Sequence, residues 1–379
     1  MHFAFNDEQA ALRDTARAFL EQVSPVERVI ETMATHEGFD TSTWDRVREE
    51  MCWTALLVPE EFGGFGLSHV ELAALNEEMG RALFCSPFFS SVCLGANALI
   101  TAGTTAQKEH FLPAIATGEI RAALAHLEPG GSLGPDGIRT LARLEGDRVI
   151  LSGTKTYVVD GHTAHLFVVV ARREDTTGAD GIEIYLVPAD APGVGRRPIP
   201  TMDQTRKLAE VTFEGVEVCA DDRLGEAGKG WATLEHILDL AAVALAAEQV
   251  GGAERCLETA VEYAKVRHQF GRPIGSFQAI KHKCADMLLA VESARSAAYF
   301  AAWAAAEDPA ALRLAAPQAQ AYCSEAFFRC AAESIQVHGG IGFTWEHEAH
   351  LYFKRAHASE KLLGDPTHHR RIHAERMGL

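Results

Sequence analysis

The sequence predicts an α+β multidomain chain: an N-terminal α-helical domain, a central antiparallel β barrel or sandwich, and a C-terminal four-helix bundle. Three observations carry this. Apolar residues recur at helical spacing from Asn6 to about Ile120. A block of roughly 100 residues then turns to short β-branched runs separated by hairpin-type turn signals. After Gly228-Lys229-Gly230, long alanine-rich stretches with helix stops take over. A length of 379 residues fits two or three domains, and the changes of character place them at 1–121, 122–228 and 229–379.

The first helix carries Phe5, Leu12 and Phe19 on one stripe, with Glu8 and Arg13 off it. Leu56–Gly66 interrupts the helical pattern with a glycine-rich turn, and helix resumes at Val70–Leu83, Leu94–Ile100 and Gln107–Ala116. Strands are expected at Arg148–Leu151, Tyr157–Val159, Leu166–Ala171, Ile182–Val187 and Val211–Val218. Gly146-Asp147, Ser152-Gly153, Asp160-Gly161 and Pro192-Gly193 supply the turns between them. Long helices follow at Trp231–Val266, Phe277–Ala306 and Pro317–Val337, with a shorter one near the end. Gly271 and Pro273 read as the stop of the first.

Composition excludes some function classes. The chain has 52 acidic against 35 basic residues, a formal net charge of −17, and no Lys/Arg cluster, so nucleic acid is not an expected partner. No apolar run is expected to span a bilayer, and the charged start is not a signal peptide. The eight cysteines are dispersed without a Cys-x-x-Cys pair, which fits reduced, mostly buried thiols and a cytoplasmic location.

Two segments have the chemistry of a ligand site. In Tyr263–Ile274, Arg267 at a helix end can hold a pyrophosphate by paired hydrogen bonds, and Phe270 can offer its face to an adenine or flavin ring. The same residues also fit an ordinary helix terminus, with the Arg on the dipole and the Phe in the core. In Gln336–Phe343, glycines after a long helix allow close backbone approach to a ligand, or simply end the helix. Gly64-Phe65-Gly66 lacks the last glycine of a dinucleotide fingerprint and follows no βαβ pattern. Glu346, His347, Glu348 and His350 are dense enough to suggest a metal, but no matching set supports them, and no metal is expected. His357, His368, His369 and His373 are expected to face solvent.

Several stretches carry a resemblance: Leu56–Gly64, Leu127-Glu128-Pro129-Gly130, Phe213–Val218 and Leu224–Gly230, then Arg267–Gly271 and Gln336–Gly340. In order and spacing they resemble the acyl-CoA dehydrogenase family over essentially the whole chain. That resemblance implies α,β-dehydrogenation of an acyl-CoA thioester, FAD as cofactor and an electron-transfer flavoprotein as electron acceptor. It also implies that Arg267, Gln269, Phe270, Ile274, Phe277 and Gln278, with Gln336, Gly339 and Gly340, reach the adenosine and pyrophosphate half of an FAD seated on a neighbouring subunit.

The chain departs from the family where the chemistry happens. Leu363, before Gly364, stands where the family's usual catalytic carboxylate stands, and Ala241 where the alternative one does. Leu127 replaces the Thr of Thr-Glu-Pro-Gly, and Tyr157-Val158-Val159 replaces Trp-Ile-Thr, so two hydroxyls that bond the flavin ring are absent. Asp365 and Glu360 are the nearby acids that remain, and Asp365-Pro366 also reads as a helix-breaking turn. The expectation is a subunit that pairs, as dimer or tetramer, with a homologous acyl-CoA dehydrogenase chain carrying the base. Actinobacterial heteromers acting on steroid side-chain thioesters have a similar Ala358–Asp365 ending. The alternatives are a self-sufficient homotetramer using Asp365 or another base, a non-catalytic scaffold, and a flavin-dependent hydroxylase or oxidase of the same fold.

Overall fold

The computed structural model of the chain describes residues 5–379. These residues resolve into two compact units, one of 5–31, 69–84 and 242–379, the other of 32–68 and 85–241.

The helical unit is built on α1 (Asp7–Val23), α4 (His69–Arg81), most of α7 (Gly230–Val266), α8 (Gln278–Glu307), α9 (Pro309–His338), α10 (Ala349–Leu362) and α11 (Pro366–Arg376). Asn6 starts α1 with a capping box, its side chain accepting from Gln9 N at 2.8 Å while Gln9 Oε1 accepts from Asn6 N at 3.0 Å. Small residues let α4 and α7 cross backbone to backbone. A Cβ on Gly80 would fall 1.9 Å from Glu248 O, and one on Gly251 would fall 1.7 Å from Glu77 O. Charged pairs close over the crossing: Arg17 forks onto Glu78 at 2.7 and 2.9 Å, while Arg295 reaches Glu77 at 3.2 Å and Glu254 at 2.6 Å. Burial pushes the Glu77 carboxyl up, against the pull of Arg295 and the Tyr299 hydroxyl.

Three expectations change here. Helix α9 begins at Pro309, behind an Asp308 side chain that accepts from Ala310 N and Ala311 N, and Pro317 lies inside it, not at its start. His369 is buried at 6% exposure and does not face solvent. One helix, Gly230–Val266, is long and apolar enough on length and composition to cross a membrane, with 61% of its most apolar window buried inside the protein. Core helices of packed bundles have that composition for the same reason, apolar contact on most faces.

The second unit holds α3 (Thr41–Glu49), a π-helical segment Phe89–Ala96 continuing into α5 (Asn97–Ala102), α6 (Thr105–Ala116) and the sheet. The remaining short helix, α2 (Val26–Met33), passes from one unit into the other. The sheet strands are β1 (Ala122–Ala125), β2 (Leu141–Glu145), β3 (Arg148–Val159), β4 (Leu166–Arg173), β5 (Ile182–Pro188), β6 (Val194–Ile199), β7 (Leu208–Cys219) and β8 (Arg223–Leu224). They run in the order β6-β7-β3-β2-β4-β5-β8, and β1 pairs with β4. Most pairings are antiparallel, as expected, but β1–β4 and β2–β4 are parallel, so the sheet is mixed. Its core is a cluster of alternating inward side chains, with Phe167 and Phe213 edge to face at 6.3 Å.

Candidate functional site

The segment after α7 is not a simple helix end. Two short strands, β9 (His268–Gln269) and β10 (Arg272–Pro273), form a hairpin, with Gln269 opposite Arg272 and His268 opposite Pro273. The two-residue loop is Phe270-Gly271, and both have positive φ, 55° and 79°. Tight two-residue hairpins need that conformation, and glycine supplies it readily while phenylalanine does not. The loop throws Phe270 outward to 91% exposure, so its ring is not part of a core. Behind it, the Phe277 ring meets Phe270 edge-on at 6.1 Å and carries the Arg272 guanidinium 4.1 Å from its centroid. Arg267 and Gln269 are exposed, and among the described residues the Arg267 guanidinium has no hydrogen-bond or ion-pair partner. Gln278 is exposed at the first turn of α8, and Ile274 is half-buried.

The glycine turn lies at the same end of the bundle. Helix α9 stops at His338, and Gly339 takes φ 65°, ψ −140°, a conformation close to glycine's alone. A side chain on Gly339 or Gly340 would meet no atom within 4 Å, so the backbone there is open to a ligand. Gln336 is exposed one turn before. The link to the hairpin is a column of rings: Tyr263 of α7 packs on His338 at 4.6 Å, and His338 on His347 at 4.2 Å. Nothing in the sequence pattern singled out that column. His347 and Glu348 drew attention as metal candidates, but His347 stacks on His338 and Glu348 pairs with Arg255 at 3.2 Å.

In the sheet unit, Leu127, Val158 and Val159 are buried, whereas Tyr157 is 49% exposed. Tyr157 has φ 54° and sits in the irregularity where the β3–β7 register slips between Lys155 and Val158. Below it lies a buried ion pair that sequence reasoning missed. Lys155 Nζ stands 2.6 Å from Glu128 Oε1 and 3.3 Å from His126 O, and Glu128 also accepts from Arg139 N and Thr140 N at 2.9 Å each. Burial pulls the Lys155 ammonium down to about 8 against the carboxylate's support. For Glu128 burial pulls upward, but Lys155 and the Thr140 bonds outweigh it and the carboxyl lies below its usual range. No local pattern signals the pair: Lys155 lies between Thr154 and Thr156, and Glu128 between Leu127 and Pro129.

The positions expected to hold a proton acceptor hold hydrocarbon. Ala241 is fully buried and Leu363 is 6% exposed. Asp365 is the N-cap of α11: its Oδ1 accepts from His368 N at 2.9 Å and its Oδ2 lies 3.5 Å from Lys361 Nζ. The His368 amide first, then Lys361, hold the carboxyl below its usual range. Glu360 pairs with Lys361 at 2.7 Å.

Family models match nearly the whole chain: acyl-CoA dehydrogenase N-terminal domain over residues 6–119, middle domain over 123–216 and C-terminal domain over 228–378. The chain belongs to the acyl-CoA dehydrogenase family. Its similar relatives include acyl-CoA dehydrogenase IpdE2 of Mycobacterium tuberculosis, 37% identical across 95% of this chain and 94% of that protein. Among solved structures, butyryl-CoA dehydrogenase from Megasphaera elsdenii superimposes with a TM-score of 0.93 at 28% identity, covering 100% of both chains. The ChsE4-ChsE5 complex from Mycobacterium tuberculosis gives 0.90 at 28% identity, covering 100% of this chain and 99% of that one. The chain is thus an oxidoreductase acting on CH–CH bonds, in a family of FAD-dependent flavoproteins.

The face at the bundle end suits part of that cofactor. An unpaired guanidinium, an outward aromatic ring and a turn with no side chain in the way are the donors and surfaces a pyrophosphate and an adenosine require. In the sheet unit, Leu127 and Val159, which stand where the resemblance expects hydroxyls, are buried at 8% and 4% exposure.

Proposed function

We propose that this chain is the subunit of a heteromeric acyl-CoA dehydrogenase that completes an FAD site on a homologous partner and leaves α-proton removal to that partner. A single contrast supports the reading: the outward cofactor face is intact, while Leu363 and Ala241 stand where a base is needed. The cofactor, when bound, supplies the acceptor for the β-hydride. This chain's part is electrostatic and steric. Arg267 would fork onto the pyrophosphate, Phe270 would cover the adenosine, and the Gly339–Gly340 backbone would close against it, with Gln269, Gln278 and Gln336 as polar neighbours. Ile274 and Phe277 would back the hairpin.

A hydrocarbon side chain cannot accept a proton, and losing a general base costs about 10²–10⁴ in rate. Asp365 is already engaged as a helix cap, with its charge stabilised at low proton affinity, which disfavours it as the base. The substrate class we favour is a CoA thioester of a steroid side chain, on the similarity of the Ala358–Asp365 ending and the small Ala241 and Ala242 side chains. Electrons would leave to an electron-transfer flavoprotein. The test is to purify the chain alone and with its homologous partner, then measure flavin content and turnover. The expected result is a single FAD per heterodimer and turnover only in the complex. Full flavin loading and turnover by the lone chain would remove the proposal.

A further inference from the structure

Two imidazoles lie beneath the glycine turn. His338 is 4% exposed, and its Nδ1 lies 2.7 Å from Ser334 O, so Nδ1 carries the hydrogen and donates it. In His347 the roles reverse: its Nδ1 accepts from Ala349 N at 3.1 Å, at the start of α10. The rings are 4.2 Å apart and tilted by 48°, and Tyr263 continues the column at 4.6 Å. Gly342 folds the turn directly onto His338, since a Cβ there would come within 2.9 Å of His338 Cβ. One stack therefore joins the end of α7, the glycine turn and the first turn of α10.

We infer that His338 and His347 are positioning residues of the cofactor face, holding the Gly339–Gly340 turn in register with the Arg267–Phe270 hairpin and so setting the affinity for a dinucleotide. This rests on the proposed reading of that face. The geometry works only with both rings neutral. Protonated His347 would turn a donor toward the Ala349 amide, itself a donor, and two imidazolium rings at stacking distance repel. Burial is the main influence lowering both groups; the Ser334 carbonyl and Glu348 oppose it at His338, where His347 adds to it, and Glu348 opposes it at His347. The other charged or titratable groups near the column are Arg255, paired with Glu348, and His350 and Lys354 on α10. Each ring thus favours the folded arrangement above the ordinary histidine range, and the contribution is lost as pH falls through it.

Two readouts test this on the full chain with its homologous partner: FAD dissociation constants from pH 8 to 5, and hydrogen exchange of 336–349 without flavin over the same range. The wild type is expected to bind FAD about tenfold more weakly at pH 5.5 than at 7.5, with faster exchange at the turn. His338→Phe with His347→Asn keeps a ring and an acceptor but cannot titrate, and should flatten both profiles. His338→Ala should weaken binding about tenfold at every pH. An unchanged pH profile in the double variant, or unchanged affinity and exchange in His338→Ala, would overturn the inference. If no assembly takes up flavin, the proposed function falls, and exchange alone decides: pH-dependent protection that the double variant loses supports the positioning role, and protection indifferent to both overturns it.

Discussion

Phe270 is a bulky residue in a backbone conformation that costs of order 1–3 kcal/mol outside glycine and asparagine, with its ring in water. Such strain marks a position kept for contact, not stability. Phe270→Asn should therefore leave the melting temperature unchanged or slightly raised, while FAD affinity of the heteromer falls about tenfold; a melting temperature lowered by several degrees with unchanged affinity would show a structural ring instead. Asp365 gives a second single-residue test. Asp365→Asn keeps a capping oxygen and should preserve turnover of the complex, whereas Asp365→Ala should cost about 1 kcal/mol of stability. A fall in turnover of about 10²-fold in Asp365→Asn would make it a base after all. His369 gives a third. Burial lowers its imidazole from 6.5 to about 4, so the neutral ring stabilises the fold fully above pH 6.5 and that contribution fades as pH falls toward 4. It is worth on the order of 3 kcal/mol. Urea unfolding across this range should show the loss, and His369→Gln should show a shallower one.

At the scale of elements, the sequence was readable where one period dominated. The β-branched runs of β4, β5 and β7 and the apolar length of α7 and α8 were legible for that reason. Elements whose residues contradict their role were not. The β9–β10 hairpin turns on Phe-Gly where Asn-Gly or Asp-Gly would signal it, so it looked like a helix stop. Strand β1, Ala122–Ala125, is all but devoid of strand-forming residues and is fixed by parallel pairing with β4. Strand β6 carries Arg196, Arg197 and Pro198, the composition of an edge, which is where it lies. In the candidate site, the Arg267 and Gln336 segments were visible as motifs, but the ring stack that joins them is a contact between α7 and residues some 75–84 positions later, which no local pattern encodes. The Lys155–Glu128 pair makes its own prediction. Lys155→Met leaves a buried carboxylate with only backbone donors, and should cost about 3–5 kcal/mol in chemical unfolding. Lys155→Met combined with Glu128→Gln should recover part of that loss.

For the whole molecule, the proposed function places a partner against the Arg267–Phe270 hairpin and the Gly339–Gly340 turn. On mixing with the homologous chain, hydrogen exchange should slow at 266–273 and 339–345 while the sheet strands stay unchanged; equal slowing everywhere would mean general stabilisation and no defined interface. The outward rings have a further consequence. Phe270, Phe343 and Trp345 stand 91%, 82% and 66% bare. On the proposed pairing, an unmatched copy of this chain would leave those three aromatic side chains in water, so co-production with its homologue is expected to raise the yield of chain that stays in solution.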